Sequence, residues 1–138
     1  MDDEPGLRVV PDLDCDAARE AARRAGATSY VLPRGVVDRA SFFDAVRATL
    51  PLDPPLQGSA SWDALADSLW EGLHQAGARR VWICWPDADA MARAARDDFA
   101  QAIRVIASVI ELLGDATATN GWPTAVTCIV EASPIERA

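Results

Sequence analysis

The sequence contains no lysine: all 13 of its basic residues are arginine, and they stand against 21 acidic residues. A P-loop needs a lysine beside its phosphate and a Schiff-base enzyme needs an amine, so both classes of enzyme are excluded. The formal net charge of −8 also argues against nucleic-acid binding, because affinity for phosphate backbones depends on clustered positive charge. Any macromolecular partner is therefore expected to be basic.

Histidine and cysteine are scarce as well. His74 is the only histidine, and the three cysteines, at positions 15, 84 and 128, form neither a CxxC pair nor a Cys/His cluster. This spacing argues against a zinc site, and we expect neither a metal nor another cofactor. Cys84 and Cys128 lie in apolar runs, which favours small buried thiols and a reducing compartment.

Long apolar runs are also absent. No apolar stretch reaches the roughly 18 residues that a membrane span requires. The first residues lack the basic start and the apolar run of a signal peptide. We therefore expect a cytoplasmic protein that does not contact a membrane.

The 138 residues are enough for one domain with its own core. After a loose acidic leader that includes the apolar run 7–10, periodicity and caps predict alternating strands and helices. The predicted strands are 28–32, 80–85 and 124–130, and the predicted helices are 14–25, 38–50, 62–75, 87–95 and 97–113. Strands joined by helical crossovers pair in parallel, so we expect an α/β fold with a small three-stranded parallel sheet. Residues from 131 onward are expected to fray.

The predicted helix 62–75 has an unusual distribution of charge. At about 100° per residue, its large apolar side chains share one face, which predicts the core side: Trp62, Leu65, Leu69 and Leu73. Asp63, Asp67 and Glu71 recur every four residues on the opposite face, with Trp70 and His74 among them. Like charges at this spacing repel one another by a few tenths of a kcal/mol per pair.

Two interpretations of this face are open. One is a solvated face with a single stray aromatic residue. The other is a docking surface, because an aromatic side chain ringed by charge is typical of interface hot spots. On the second interpretation Trp70 is substantially exposed in the free protein and becomes an anchor when a partner covers it.

Residues 61–69 read Ser-Trp-Asp-Ala-Leu-Ala-Asp-Ser-Leu, which resembles the helix start of the barstar family, the intracellular inhibitors of secreted microbial ribonucleases. Pro55, eight residues before the first aspartate, and the strand that ends in Trp85 also resemble the family. The similarity covers roughly residues 28–131. It implies a barstar-like domain at 28–132, an N-terminal extension with a helix at 1–27 and a tail at 133–138.

The resemblance implies a partner-binding site. Asp63 and Asp67 match the two aspartates that enter the active-site cleft of the ribonuclease, and Asp67 is implied to mimic the substrate phosphate. The candidate site is completed by neighbouring positions of the loop and helix: Gln57, Ser59, Ser61, Trp62, Ala66, Trp70 and Glu71.

Several of these positions depart from the family pattern. The family has an aromatic residue where this chain has Gln57 and a tryptophan where it has Ala66, while Ser61 replaces an asparagine and the loop glycine comes one place early, at Gly58. An acidic residue of the later long helix falls at Ser108, with Glu111 one turn on as its stand-in. We hypothesise that Trp70 supplies the aromatic contact missing at 57 and 66.

Three functions remain in competition. The first is a ribonuclease inhibitor that acts by occlusion. The second is a barstar-like interaction module for another basic protein or toxin. The third, an enzyme, is disfavoured because one histidine beside acids and no lysine offer no nucleophile–base pair.

Overall fold

A computed structural model of the chain describes residues 4–58 and 60–133. Along the chain the elements are β1 (Gly6–Val10), α1 (Cys15–Arg24), β2 (Thr28–Val31), α2 (Arg39–Thr49), α3 (Trp62–Ala76), β3 (Arg80–Trp85), α4 (Asp89–Ala94), α5 (Arg96–Leu113) and β4 (Ala125–Glu131). The predicted helices and strands are all present, with shifts of one or two residues at most of their ends. Within the described ranges, no helix combines the length and apolar character that crossing a membrane requires.

The sheet has four parallel strands in the order β1-β4-β3-β2, so the expectation of three strands is wrong. The additional strand is β1, which pairs with β4 so that Leu7 lies opposite Cys128 and Val9 opposite Val130. A five-residue run between two prolines carries little periodicity of its own. Its strand conformation depends on pairing with a segment at the other end of the chain.

The main core lies between one face of the sheet and the helices α2, α3 and α5. Trp85 at the end of β3 is fully buried, and its ring centroid lies 5.0 Å from that of Phe42 and 5.4 Å from that of Phe99. The opposite face carries α1, which buries only the small side chains Ala18 and Ala22. The two faces of the sheet are therefore covered very unequally.

The central strands bury two of the three cysteines. Cys84 and Cys128 are both free and fully buried, as predicted, whereas Cys15 is half-buried. Burial raises the pKa of the Cys84 thiol to about 11, and it raises the pKa of Cys128 as well. Both thiols therefore stay protonated and act as small apolar side chains.

Glu131 connects three loops at the carboxyl end of the sheet. Its carboxylate accepts hydrogen bonds from the backbone N–H of Asp87 at 2.7 Å and of Leu13 at 3.0 Å, and Arg34 lies 3.9 Å away. The prediction that the chain frays from residue 131 is wrong, because Glu131 ends β4 and Ala132 still donates to Val10. The greater part of the predicted tail, 134–138, lies outside the described residues.

Replacing Glu131 should reveal a pH-dependent contribution to stability. The hydrogen bonds from Asp87 and Leu13, followed by the charge of Arg34, hold the pKa of Glu131 below its ordinary value. The carboxylate therefore stabilises the fold above the unfolded pKa of about 4.3, and the contribution is lost as the pH falls through the folded pKa. We expect Glu131→Gln to lower the free energy of unfolding by about 1–3 kcal/mol at neutral pH.

Urea unfolding at pH 7 and at pH 3 measures this effect. The exposed Glu111 on α5 is the matched control, and Glu111→Gln should have little effect at either pH. A difference between Glu131→Gln and the unmodified chain that persists undiminished at pH 3 would contradict the assigned role.

Candidate functional site

The site is built on α3, whose two ends are fixed by local sequence. Ser61 caps the helix, and its hydroxyl accepts a hydrogen bond from the backbone N–H of Ala64 at 3.3 Å. Gly77 ends the helix in a left-handed conformation with φ of 75°, which glycine adopts without steric cost. The predicted helix is therefore present, and it places Asp63, Asp67 and Glu71 in one row, here called the acidic stripe.

The acidic stripe is poorly compensated. Asp63 and Asp67 are exposed, and among residues 4–58 and 60–133 neither carboxylate has a hydrogen-bond or ion-pair partner. Glu71 is half-buried and accepts a hydrogen bond from the side-chain amide of Gln75 at 2.7 Å. Elsewhere acidic side chains do find partners, as Glu20 does with two arginines on α1. The two aspartates remain free to pair with cations of another molecule.

One flank of the stripe is the segment 51–60 that joins α2 to α3, here called the linker. Its path is fixed by backbone contacts: Asp53 donates to the carbonyl of Ser68 at 3.1 Å, and the Arg39 guanidinium donates to the carbonyl of Ala60. Leu56 is buried and anchors the middle of the linker. The linker thus starts back along α3 and is held at its middle by Leu56, while Gln57 and Gly58 are exposed.

The linker approaches α3 most closely at Gly72. A Cβ atom built on Gly72 would lie 1.7 Å from the carbonyl oxygen of Pro51, which no side chain tolerates. Gly72 is buried in the middle of the last turns of α3, where glycine would otherwise weaken the helix. Its absence of a side chain is what allows the linker to lie against the helix.

The residues proposed for the linker and the helix start differ in their surroundings. Gln57 is exposed on the linker, while Ser61 is engaged in the helix cap. Ala66 is half-buried and packs against the core. Ser59 lies outside the described residues. These positions therefore differ in accessibility: Gln57 is exposed, whereas Ser61 and Ala66 are engaged in the fold.

The other flank of the stripe faces α5. Trp62 is half-buried between Phe43, whose centroid lies 5.0 Å away, and the guanidinium of Arg39, which lies 5.2 Å from the indole centroid. Beside it is a polar cleft of about 420 Å³ whose lining includes five residues of α5: Asp97, Asp98, Ala100, Gln101 and Arg104. Local sequence patterns do not indicate this cleft, because Asp98 by itself predicts only the start of a helix.

Two further positions of α5 belong to the sequence-based hypothesis. Ser108 stands where the family has its acidic residue, and Glu111 follows one turn later. Both side chains are exposed. A role for Glu111 in partner binding stays a prediction.

Trp70 does not have the predicted exposure. It is half-buried, packs against the core, and stacks on the imidazole of His74 with ring centroids 4.8 Å apart. Its position on the helix borders the flank that faces α5, so its long side chain reaches apolar neighbours that a helical wheel does not show. The tryptophan that is largely exposed is Trp122, at 52%, with the guanidinium of Arg79 5.1 Å from its ring.

The fold and this surface define a class: an α/β domain with an acidic helix, two of whose carboxylates have no partner among the described residues. Among the described residues, no three side chains of the metal-ligating types are grouped closely enough to hold a metal ion. The family model described as Barstar (barnase inhibitor) matches residues 27–126, and the chain belongs to that family. No curated protein and no solved structure matches the chain. The matched region begins just before β2, so β1 and α1 precede it.

Gly72→Ala should displace the linker. In an unobstructed helix, this change would add about 1 kcal/mol of stability, but here the new Cβ would overlap the Pro51 carbonyl. We expect a loss of about 1–3 kcal/mol, measured by denaturant unfolding. Gly114→Ala is the matched control, because its nearest atom would be 3.5 Å away, at ordinary contact distance. A gain in stability at position 72 would show that the contact does not constrain the linker.

Trp70→Ala tests how much of the indole is committed to the core. Because Trp70 packs against core residues and His74, we expect the free energy of unfolding to fall by about 1–3 kcal/mol. Trp122→Ala removes an exposed indole and should cost at most about 1 kcal/mol. Equal melting temperatures for Trp70→Ala and the unmodified chain would contradict the packing described above.

Proposed function

We propose that the chain is an intracellular, cytoplasmic inhibitor of a microbial ribonuclease and that it blocks the basic active-site cleft with the acidic stripe. The observation that carries the proposal is the pair of unpartnered, exposed carboxylates at Asp63 and Asp67. They occupy the helix positions that match the family's two aspartates. Membership of a family described as barnase inhibitors and the net charge of −8 support the same proposal.

The negative charges of the acidic stripe favour a partner that is rich in cationic side chains. Three acidic groups one helical turn apart repel one another in the free protein, by a few tenths of a kcal/mol per pair. Cationic side chains in a ribonuclease cleft would remove that repulsion on binding. Complementary charge also steers the two proteins together, so association should slow as salt is added.

The second candidate function is binding to another basic protein or toxin without ribonuclease inhibition. The specific observation in its favour is the linker, where the exposed Gln57 stands in place of the family's aromatic residue. Trp70 is half-buried, and its role as a replacement anchor stays a prediction. Both functions use the same surface, and both act by occupation of a partner's surface without chemistry of their own.

Inhibition assays with secreted basic ribonucleases, including barnase, test the proposal. Stoichiometric addition of the chain should abolish RNA cleavage by at least one of them. Asp67→Ala should weaken the complex by about 2–5 kcal/mol and by more than Asp63→Ala or Glu71→Ala, because Asp67 is central on the stripe. The melting temperature should not fall, because one of three repelling charges is removed.

Asp16→Ala on α1 serves as the control, because it removes an exposed carboxylate from the opposite face of the sheet. Stopped-flow mixing at low and high ionic strength should show a steep fall in the association rate. Equal losses for all three stripe variants, or a rate independent of salt, would rule out the stripe as the docking surface. Tight binding without loss of cleavage would establish the second candidate function instead.

A further inference from the structure

The second half of the linker is held by α2, a helix that carries no part of the acidic stripe. Arg47 donates from Nη1 to the carbonyl of Leu56 at 2.9 Å. Arg39 donates to the carbonyl of Ala60 through Nε, at 2.7 Å, and through a terminal guanidinium nitrogen as well. These two residues, here called the arginine pair, therefore hold one carbonyl on each side of the exposed residues 57–58.

The spacing of the arginine pair fits the path of the linker. Eight residues of α2 separate Arg39 from Arg47, which corresponds to about 12 Å along the helix axis. The two carbonyls belong to Leu56 and Ala60, and four extended residues reach at most about 14 Å. Because Arg47 holds the earlier carbonyl and Arg39 the later one, this part of the linker runs antiparallel to α2. It thereby brings the start of α3 beside the start of α2.

Arg39 also contacts the first residue of α3. Its guanidinium lies 5.2 Å from the indole centroid of Trp62, which is within the range of a cation–π interaction. The Trp62 ring lies 5.0 Å from that of Phe43, and Asp63 of the acidic stripe follows directly in the chain. The capping hydrogen bond of Ser61 is long, at 3.3 Å. Arg39 therefore adds a fixed point at the position from which the stripe begins.

The contacts of the arginine pair use properties that lysine lacks. A guanidinium carries five N–H donors in a rigid plane, so that one group can donate several hydrogen bonds and also stack on a ring. Arg39 does both. Arg47 donates to Leu56 while it pairs with Asp44 at 2.5 Å, and only 24% of its side chain is exposed. An ammonium group would keep the charge at either position and lose this geometry.

We propose that Arg39 and Arg47 are positioning residues for docking, which hold residues 57–58 and the start of α3 in the arrangement that a partner meets. The proposal rests on the proposed function of the acidic stripe and adds the residues that set the shape of the surface around it. A standard interface covers about 800 Å² on each partner, far more than two carboxylates supply. A partner centred on Asp67 therefore also covers the start of α3, and any disorder there must be removed on binding.

The first measurement concerns the free chain. Arg39→Lys, Arg47→Lys and the double variant keep the charge, and nitrogen-15 relaxation reports the order parameters of the Gln57 and Gly58 amides. In the unmodified chain these should be near the rigid value of about 0.85, and in the double variant they should fall below about 0.6. Arg19→Lys, at an exposed position of α1, is the matched control and should change neither amide.

The second measurement concerns the complex with a ribonuclease that the chain inhibits. Each single lysine variant should dissociate about threefold faster than the unmodified chain, and the double variant about tenfold faster or more, because the released segment must be ordered again. The association rate and its dependence on salt should not change, since steering depends on charge and the charge is kept.

A variant that is only less stable separates positioning from general destabilisation. Val130→Ala removes apolar atoms from a fully buried position of β4 and should lower the melting temperature at least as much as the lysine variants do. Its dissociation rate should nevertheless equal that of the unmodified chain. Faster dissociation of Val130→Ala by the same factor would assign the effect to stability and overturn the proposal.

The two measurements distinguish this proposal from ribonuclease inhibition itself. Order parameters that stay rigid at residues 57–58 in the double variant would overturn the positioning role, whether or not the chain inhibits a ribonuclease. Loosened residues with an unchanged dissociation rate would overturn it as well, while inhibition would stand. A chain that inhibits no ribonuclease would contradict the proposed function, and the arginine pair would then have no role in docking to such an enzyme.

Discussion

The candidate site depends on a close contact between two backbones. Because Gly72 has no side chain, the carbonyl of Pro51 lies where a Cβ atom would otherwise be. This contact sets the direction in which the linker leaves α2, and the hydrogen bond from Asp53 to Ser68 continues it along α3. Gln57, farther along the linker, remains exposed. The start of the linker is thus fixed by contacts within the chain, and under the proposed function little entropy would be lost there when a complex forms.

The rest of the site depends on the different surroundings of the two sides of α3. Its buried side joins the linker and the core through Ser68, Leu69 and Gly72, while its outer side carries charges that the described chain does not neutralise. A helix optimised for stability alone would carry arginines that pair with Asp63 and Asp67, as α1 does for Glu20. The electrostatic cost of the stripe is small compared with the energy that one well-packed buried side chain contributes.

Much of this arrangement could be predicted from the sequence, and the reasons for the exceptions are physical. The helix α3 carries its own signals in Ser61, the four-residue spacing and Gly77, so its limits and its acidic face were predictable. The strand β1 and the role of Glu131 depend on partners far away in the chain, which local patterns do not encode. The half-buried position of Trp70 depends on the reach of a large side chain to the core. Such contacts between elements are what a helical wheel omits.

The order of the strands has a consequence for how the chain folds. β1 is synthesised first and its partner β4 last, so Leu7 and Cys128, which lie opposite each other, are separated by about 120 residues. The sheet cannot close its β1 edge until β4 has left the ribosome. Contacts of such long sequence separation form late, because loop closure must precede any gain from pairing. The core of α2, α3 and β3 is built from nearer segments, whereas β1 adds to the edge of β4 and packs against α5.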